Sequence, residues 1–261
     1  MATDIRANRV RTIAVAVLAV LQIASSPVTT LILGPSSNTG AISDAFSTPI
    51  TPAGYAFAIW GLIYAACVAL AVYQLLPSQR SREVHRRTGW WLVGAFACSA
   101  AWVPIFGTRT IWGSQIVIVA LVVCLAVTAR RLGDSGAASG PAERGLLRLP
   151  VTLYLGWATL ATAAGFGLTF RSFGMPAGGS FVTAVCLAVV LLATVISALI
   201  VSRFTAAAGF AFTACWALIA VAVATDVDTV RLAVLVSVVL VLGFLVLRAV
   251  RSSRPVVALL G

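Results

Sequence analysis

Long runs of apolar residues limit most strongly what this chain can fold into. A helix needs about 20 mostly apolar residues to cross the hydrocarbon of a membrane. Of the 261 residues, 61% are hydrophobic and only 10% are charged, whereas a soluble domain carries about 25% charged residues. We therefore predict an all-α fold, a polytopic transmembrane bundle of about eight helices. The runs lie at about 11–34, 54–76, 89–107, 111–129, 147–170, 180–202, 205–224 and 230–250.

The arginines divide the connections between these runs into two groups. All 18 basic residues are arginine, and 15 of them fall near the N-terminus, in every second connection or in the tail. Only Arg109, Arg171 and Arg231 fall in the other connections. Because basic residues accumulate on the cytoplasmic side of membrane proteins, both termini are predicted to be cytoplasmic, with the chain in the cell membrane. The first run could instead be a cleaved signal peptide, but its length favours a retained helix.

Composition also argues against several classes of function. A net charge of +11 could indicate nucleic-acid binding, but the arginines sit between apolar runs, so no nucleic-acid partner is expected. The five cysteines form no C-x-x-C pair and the chain has one histidine, so no metal site is expected. The seven acidic residues fall at the ends of runs or between them, which leaves no carboxylate relay inside the membrane. We predict no catalytic residue and no required cofactor.

Two glycine-rich segments suggest how the chain is organised. Residues 132–146 have the composition of a flexible cytoplasmic linker. Residues 174–179 follow the fifth run and are the best candidate for an internal boundary. We therefore predict a front part of five helices, residues 1–173, and a back part of three helices with a short tail, residues 174–261.

Aromatic residues recur on one face of the second, third and fifth predicted helices. Positions three or four residues apart, and seven apart, share a helix face. Two interpretations fit this pattern: packing between helices, or a pocket for a flat lipophilic ligand. Spacing alone favours packing. The candidate pocket residues are Phe57, Trp60, Tyr64, Ser99, Trp102, Phe106, Tyr154, Trp157 and Ala161.

The same three segments resemble a known family. P-A-G-Y-A-F-A-I-W-G-L-I-Y at residues 52–64 resembles the second helix of the TspO/MBR family, the tryptophan-rich sensory proteins that include the mitochondrial translocator protein. A-A-W-V-P-I-F at residues 100–106 resembles the third helix of that family, and L-P-V-T-L-Y-L-G-W-A-T-L-A-T-A-A-G at residues 149–165 resembles the fifth. The resemblance covers about residues 10–170. The chain is similar to longer bacterial members, with three helices added after a five-helix core.

The resemblance implies a site, enclosed by the five-helix core, for tetrapyrroles or sterol-like lipophiles. Porphyrin or haem is then a candidate ligand, membrane lipid and a lipophilic small molecule are the expected partners, and a homodimer is the expected assembly. By motif position, three walls of the site are formed by Trp60 and Tyr64, by Trp102 and Phe106, and by Trp157 and Ala161.

Departures from the family pattern bear on the ligand. Ser99 and Gly165 stand where the family usually carries asparagine, which removes two amide groups, and the Phe-to-Trp spacing in the second helix is one residue shorter than in short members. The leading hypothesis is an integral membrane sensor or regulator that binds a tetrapyrrole or other flat lipophile in an aromatic pocket. The alternatives are a permease for a small lipophilic molecule and a tetrapyrrole-degrading enzyme.

Overall fold

The computed structural model describes the backbone of residues 2–261 and the side chains of residues 6–261. Met1 and the side chain of Asp4, which belong to the predicted front part, lie outside the described residues. The described residues contain eight helices that are long and apolar enough to cross a membrane, and no β-strand. The predicted all-α bundle is thus confirmed. Its helices are α1 (Ala2–Leu33), α2 (Ile59–Leu75), α3 (Glu83–Gly107), α4 (Ile111–Asp134), α5 (Leu149–Ser172), α6 (Ser180–Arg203), α7 (Ala207–Ala224) and α8 (Asp228–Arg251).

Helix α5 lies at the centre of the bundle. It packs against α4 on one side and against α7 on the other, and it also contacts α2 and α6. Every side chain from residue 151 to residue 160 is buried. From this centre, α4, α3 and α1 follow one another on one side, and α7, α8 and α6 on the other. Helix α5 therefore joins the predicted front and back parts, whose division at residue 173 stays a prediction.

The contact between α5 and α7 is built from small residues. Gly156 of α5 has no room for a side chain, because a Cβ atom there would overlap the carbonyl oxygen of Phe210 and the hydroxyl of Thr213. Gly209 of α7 is confined in the same way. Thr213 Oγ1 donates to the carbonyl oxygen of Leu153 at 2.9 Å. Such residues let helix backbones approach closely in lipid, where packing and hydrogen bonds hold helices together. We call this contact the glycine seam.

The connections that carry most of the arginines meet at one end of the bundle. There Arg11 Nη2 donates to the carbonyl oxygen of Arg80 at 2.6 Å, and Arg131 Nη1 donates to that of Arg87 at 2.7 Å. We call this end the arginine-rich end. At the opposite end the chain makes a long connection between α1 and α2, residues 34–58. The protein is thus a multi-pass membrane protein, and the cytoplasmic position of the arginine-rich end stays a prediction.

The second half of residues 132–146 is folded, which corrects the prediction of a flexible linker. Helical structure resumes at residue 141 and continues through a π-helical turn, Arg144–Arg148, into α5. Glu143 is only 3% exposed, and its carboxylate pairs with Arg148 at 2.9 Å and with Arg82 at 2.7 Å. A buried carboxylate needs such partners to offset its loss of water. Because Arg82 lies 61 residues away in the chain, the composition of the segment did not indicate this pairing.

Candidate ligand site: an aromatic cavity

Four aromatic rings surround Trp60 of α2. The distance between ring centroids is 5.2 Å to Tyr64 of the same helix and 6.0 Å to Trp102 of α3. From α5, Tyr154 and Trp157 approach Trp60 at 5.7 Å and 5.9 Å, with interplanar angles of 88° and 85°. Edge-to-face contacts of this kind are favoured by the charge distribution of aromatic rings. Faces of three helices therefore converge on one group of five residues, which we call the aromatic cluster.

A cavity of about 70 Å³ lies against this cluster, on the side away from the arginine-rich end. Six of the nine predicted pocket residues line it, namely Phe57, Trp60, Trp102, Phe106, Trp157 and Ala161. The structure thus brings residues from α2, α3 and α5 to one cavity, as a pocket requires.

The other three predicted residues lie one helical turn closer to the arginine-rich end and do not line the cavity. The hydroxyls of Tyr64 and Ser99 are 3.5 Å apart. Tyr154 is fully buried, and its hydroxyl donates to Oε1 of Gln22 on α1 at 3.4 Å. Their polar atoms therefore contact one another or α1 beneath the cavity, so these residues support the cavity floor.

Much of the cavity wall comes from residues that the sequence did not single out. Helices α6, α7 and α8 contribute Val189, Val190, Ala193, Ala217, Leu218, Val221 and Val234. The 34–58 connection contributes Thr39, Ser43, Ile50 and Pro52, and α5 adds Leu160, Ala163, Ala164, Gly165 and Leu168. On the three last helices the lining residues are small or aliphatic, so they look the same in sequence as residues that face lipid. The only signal was the number of small residues on α5 after Trp157.

The 34–58 connection closes the cavity at the end opposite the arginines, and we call it the cover. Two hydrogen bonds and one aromatic contact attach it to α7. The backbone N–H of Ala53 donates to the carbonyl oxygen of Ala220 at 3.1 Å, and Nε1 of Trp216 donates to the carbonyl oxygen of Ala56 at 3.1 Å. The ring of Tyr55 packs edge-on against Trp216 at 5.5 Å. The cover belongs to the predicted front part of the chain but is thus attached to α7 in the predicted back part.

Trp157 carries a buried polar group that has no partner. The residue is 1% exposed, and its indole Nε1–H has no acceptor among the described residues. A buried donor without an acceptor is costly, so a ligand atom that accepts this hydrogen bond would gain affinity. None of the side chains that line the cavity is ionisable. The arrangement suits an apolar molecule that carries at least one hydrogen-bond acceptor.

The family usually carries asparagine at the position of Gly165. In this chain an amide group also lies there, but it belongs to Gln115 of α4. Gln115 of α4 donates from Nε2 to the carbonyl oxygen of Thr162 at 3.0 Å. Its Oε1 occupies the space that a Cβ atom at Gly165 would enter. Glycine at this position therefore makes room for the side chain of Gln115, and the amide predicted to be lost from α5 is supplied by α4.

Comparison with protein families gives one match that extends over nearly the whole chain. The model described as TSPO-like protein matches residues 11–248, which include all of α6 and α7 as well as the segments whose motifs suggested the relationship. Comparison with curated proteins and with solved structures gives no match. The matched region contains the whole aromatic cluster and every residue that lines the cavity. The chain is a member of the TSPO-like protein family.

Proposed function

We propose that this membrane protein is a sensor or regulator that binds a flat lipophilic ligand, with a tetrapyrrole as the first candidate, in the aromatic cavity. The observation that carries the proposal is the convergence of Trp60, Trp102 and Trp157, from three helices, on one cavity. Ligand sites are concave and mostly apolar, with a few polar groups that fix orientation. Here the unpaired indole N–H of Trp157 is the candidate for that polar group.

The volume of the cavity determines whether a ligand can bind without a movement of the helices. A single water needs about 10–15 Å³ of such space, so the 70 Å³ present here accommodates only a few waters. A macrocycle therefore requires the wall to open. Among the aromatic residues of the wall, Phe57 and Trp60 are partly exposed, whereas Trp102, Phe106 and Trp157 are buried. We infer that α2 moves away from α5 to admit the ligand from the lipid, and that this movement is the signal.

Tryptophan fluorescence of the purified protein tests the proposal with protoporphyrin as the probe. Saturable quenching is expected, and replacing Trp60 with leucine should raise the dissociation constant roughly threefold to tenfold, the equivalent of losing one aromatic stacking contact. Trp112→Leu is the matched control, because Trp112 is 54% exposed and lies outside the cavity. Equal affinities for the parent, the Trp60 variant and the Trp112 variant would place the binding site elsewhere.

Two further measurements separate the sensor from its alternatives. Accumulation of porphyrin inside sealed vesicles that contain the protein would support a permease. Loss of porphyrin absorbance with turnover would support a degrading enzyme. The absence of ionisable side chains from the cavity lining favours binding without proton transfer, which is why the sensor is proposed first.

A further inference from the structure

A second concave site lies at the arginine-rich end, well away from the aromatic cavity. It forms where α6 and α8 end, beside the start of α7, and a short helix, Pro255–Leu260, closes its far side. Its volume is about 530 Å³. Three arginines, three hydroxyl residues and four apolar residues line it: Arg248, Arg251, Arg254, Ser202, Thr205, Ser252, Phe244, Leu247, Val257 and Ala258.

The positive charge in this site is not neutralised by the protein. No acidic residue lines the site. Arg248 is held in place, because its Nη1 donates to the carbonyl oxygen of Val201 at 2.6 Å. Within residues 6–261, the guanidinium groups of Arg251 and Arg254 have neither a hydrogen-bond acceptor nor an ion-pair partner. Four arginines of the described residues do have an ion-pair partner: Arg82, Arg87, Arg148 and Arg231. Three guanidinium groups thus converge without a counterion.

The site also lies at the ends of two candidate membrane spans, α6 and α8, and a helix that crosses the hydrocarbon ends near the headgroups. On α8, Phe244 and Leu247 are 39% and 40% exposed, and they lie two turns and one turn before Arg251. The short helix also exposes Val256 and Leu260. A soluble anion would make no favourable contact with these apolar residues, whereas an acyl chain would.

We propose that this site binds the phosphate headgroup of an anionic phospholipid, whose acyl chains lie along Phe244 and Leu247. Guanidinium groups bind phosphate oxygens through paired, charge-assisted hydrogen bonds. Basic pockets between membrane helices are suited to anionic lipid headgroups. Free phosphate has the same headgroup chemistry, but it gains nothing from the apolar residues. The lipid therefore tethers the ends of α6 and α8, and the proposal does not depend on the ligand of the aromatic cavity.

Native mass spectrometry of the full chain tests the proposal by counting phosphatidylglycerol molecules retained from mixed micelles with phosphatidylcholine. The test variant is Arg251→Gln with Arg254→Gln, and the matched control is Arg86→Gln with Arg130→Gln. All four arginines are exposed at the same end, so both variants lose two charges without loss of packing. Each arginine near an anionic headgroup contributes on the order of fivefold in affinity, so the test variant should lose roughly 25-fold. The control should lose about twofold or less.

Two results would overturn the proposal. Equal losses in the test and control variants would indicate diffuse attraction to a basic surface instead of a site. Displacement of phosphatidylglycerol by millimolar inorganic phosphate, with the phosphate itself retained by the parent but not by the test variant, would assign the site to a free anion. The variant with Arg251→Gln and Arg254→Gln should lose lipid but show the same porphyrin quenching as the parent, since the two sites lie at opposite ends of the bundle.

Discussion

The two sides of α5 are built from opposite kinds of residue. Toward α7 it presents Gly156, and the two backbones meet with no room for one added methyl group. Toward α2 and α3 it presents Tyr154 and Trp157, whose rings meet Trp60 and leave a cavity of about 70 Å³. Small residues can interlock without gaps, whereas rigid rings held by three separate helices leave space between them.

Because of this difference, one side of α5 should mainly affect the stability of the bundle and the other side mainly ligand binding. Dispersion attraction depends on the number of atoms in close contact, so the glycine seam should contribute more to holding the bundle together than the residues around the cavity do. The empty space beside the aromatic cluster lowers stability, because atoms that line a void lack contacts on one side. Changes at the seam should therefore unfold the protein, and changes at the cluster should alter binding while the fold persists.

Removing α6, α7 and α8 together should have the largest effect. A chain that ends at Gly174 leaves the buried residues 151–160 without their partner and deprives the cover of its hydrogen bonds to Ala220 and from Trp216. We expect almost no monodisperse protein in size-exclusion chromatography after extraction from membranes. A chain that ends at Arg251 keeps all eight helices and should remain monodisperse. Porphyrin binding by the shorter chain would instead show that residues 1–173 are an independent unit.

Adding one methyl group at the seam should have the next largest effect. Gly156→Ala places a Cβ atom against the Phe210 carbonyl, and overpacking of this kind costs about 1–3 kcal/mol of stability. Thermal unfolding in detergent measures the loss. The matched control is Gly243→Ala in α8, where nothing lies within 4 Å of an added Cβ atom. There alanine should leave stability unchanged or slightly raised, because it is the better helix former. Equal melting temperatures for the two variants would refute the special role of the seam.

Filling the cavity should abolish binding with little effect on the fold. Ala161→Phe adds a ring to the wall of a space that is already empty, so a ligand loses its place while the seam is untouched. Porphyrin affinity should fall more than tenfold, with a melting temperature near that of the parent. Fluorescence quenching and thermal unfolding of the same sample check both statements. If the variant binds porphyrin as the parent does, the cavity is not the binding site.

Removing only the indole N–H of Trp157 should have the smallest effect. Trp157→Phe keeps an aromatic ring but loses the unpaired donor. A single neutral hydrogen bond contributes about 0.5–1.5 kcal/mol, so affinity for the dimethyl ester of protoporphyrin, whose ester carbonyls are neutral acceptors, should fall roughly twofold to tenfold. Affinity for octaethylporphyrin, which has no carbonyl acceptors, should change less. A fall of the same size for both porphyrins would mean that ring shape matters and the donor does not.

The sequence predicted what depends on local pattern. Runs of about 20 apolar residues were enough to predict the eight helices, because crossing a membrane is a requirement of length. The spacing of Phe57, Trp60 and Tyr64 predicted a shared face on the second helix, since residues at helical spacing lie on one side. That the faces of different helices form one site was implied by the family resemblance. The structure places six of the nine predicted residues on one cavity.

What the sequence did not reveal depends on partners that are distant in the chain. Val189 and Ala193 line the cavity, whereas Leu191 and Leu192 beside them are exposed, and no difference in chemistry separates the two groups. Glu143 looked like part of a polar linker until the fold brought Arg82 to it. Apolar residues that face lipid and apolar residues that face a ligand have the same composition, so only the packing of helices distinguishes them.

The contact between Gln115 and Gly165 also has a consequence for how such sequences can change. An asparagine at position 165 would collide with the glutamine amide, and a shortened residue at 115 would leave Gly165 beside a gap. A lineage that moves the amide from one helix to the other must therefore shorten residue 115 or turn its side chain away. An alignment would record two unrelated substitutions, although the molecule has exchanged one hydrogen-bonding group between neighbouring helices.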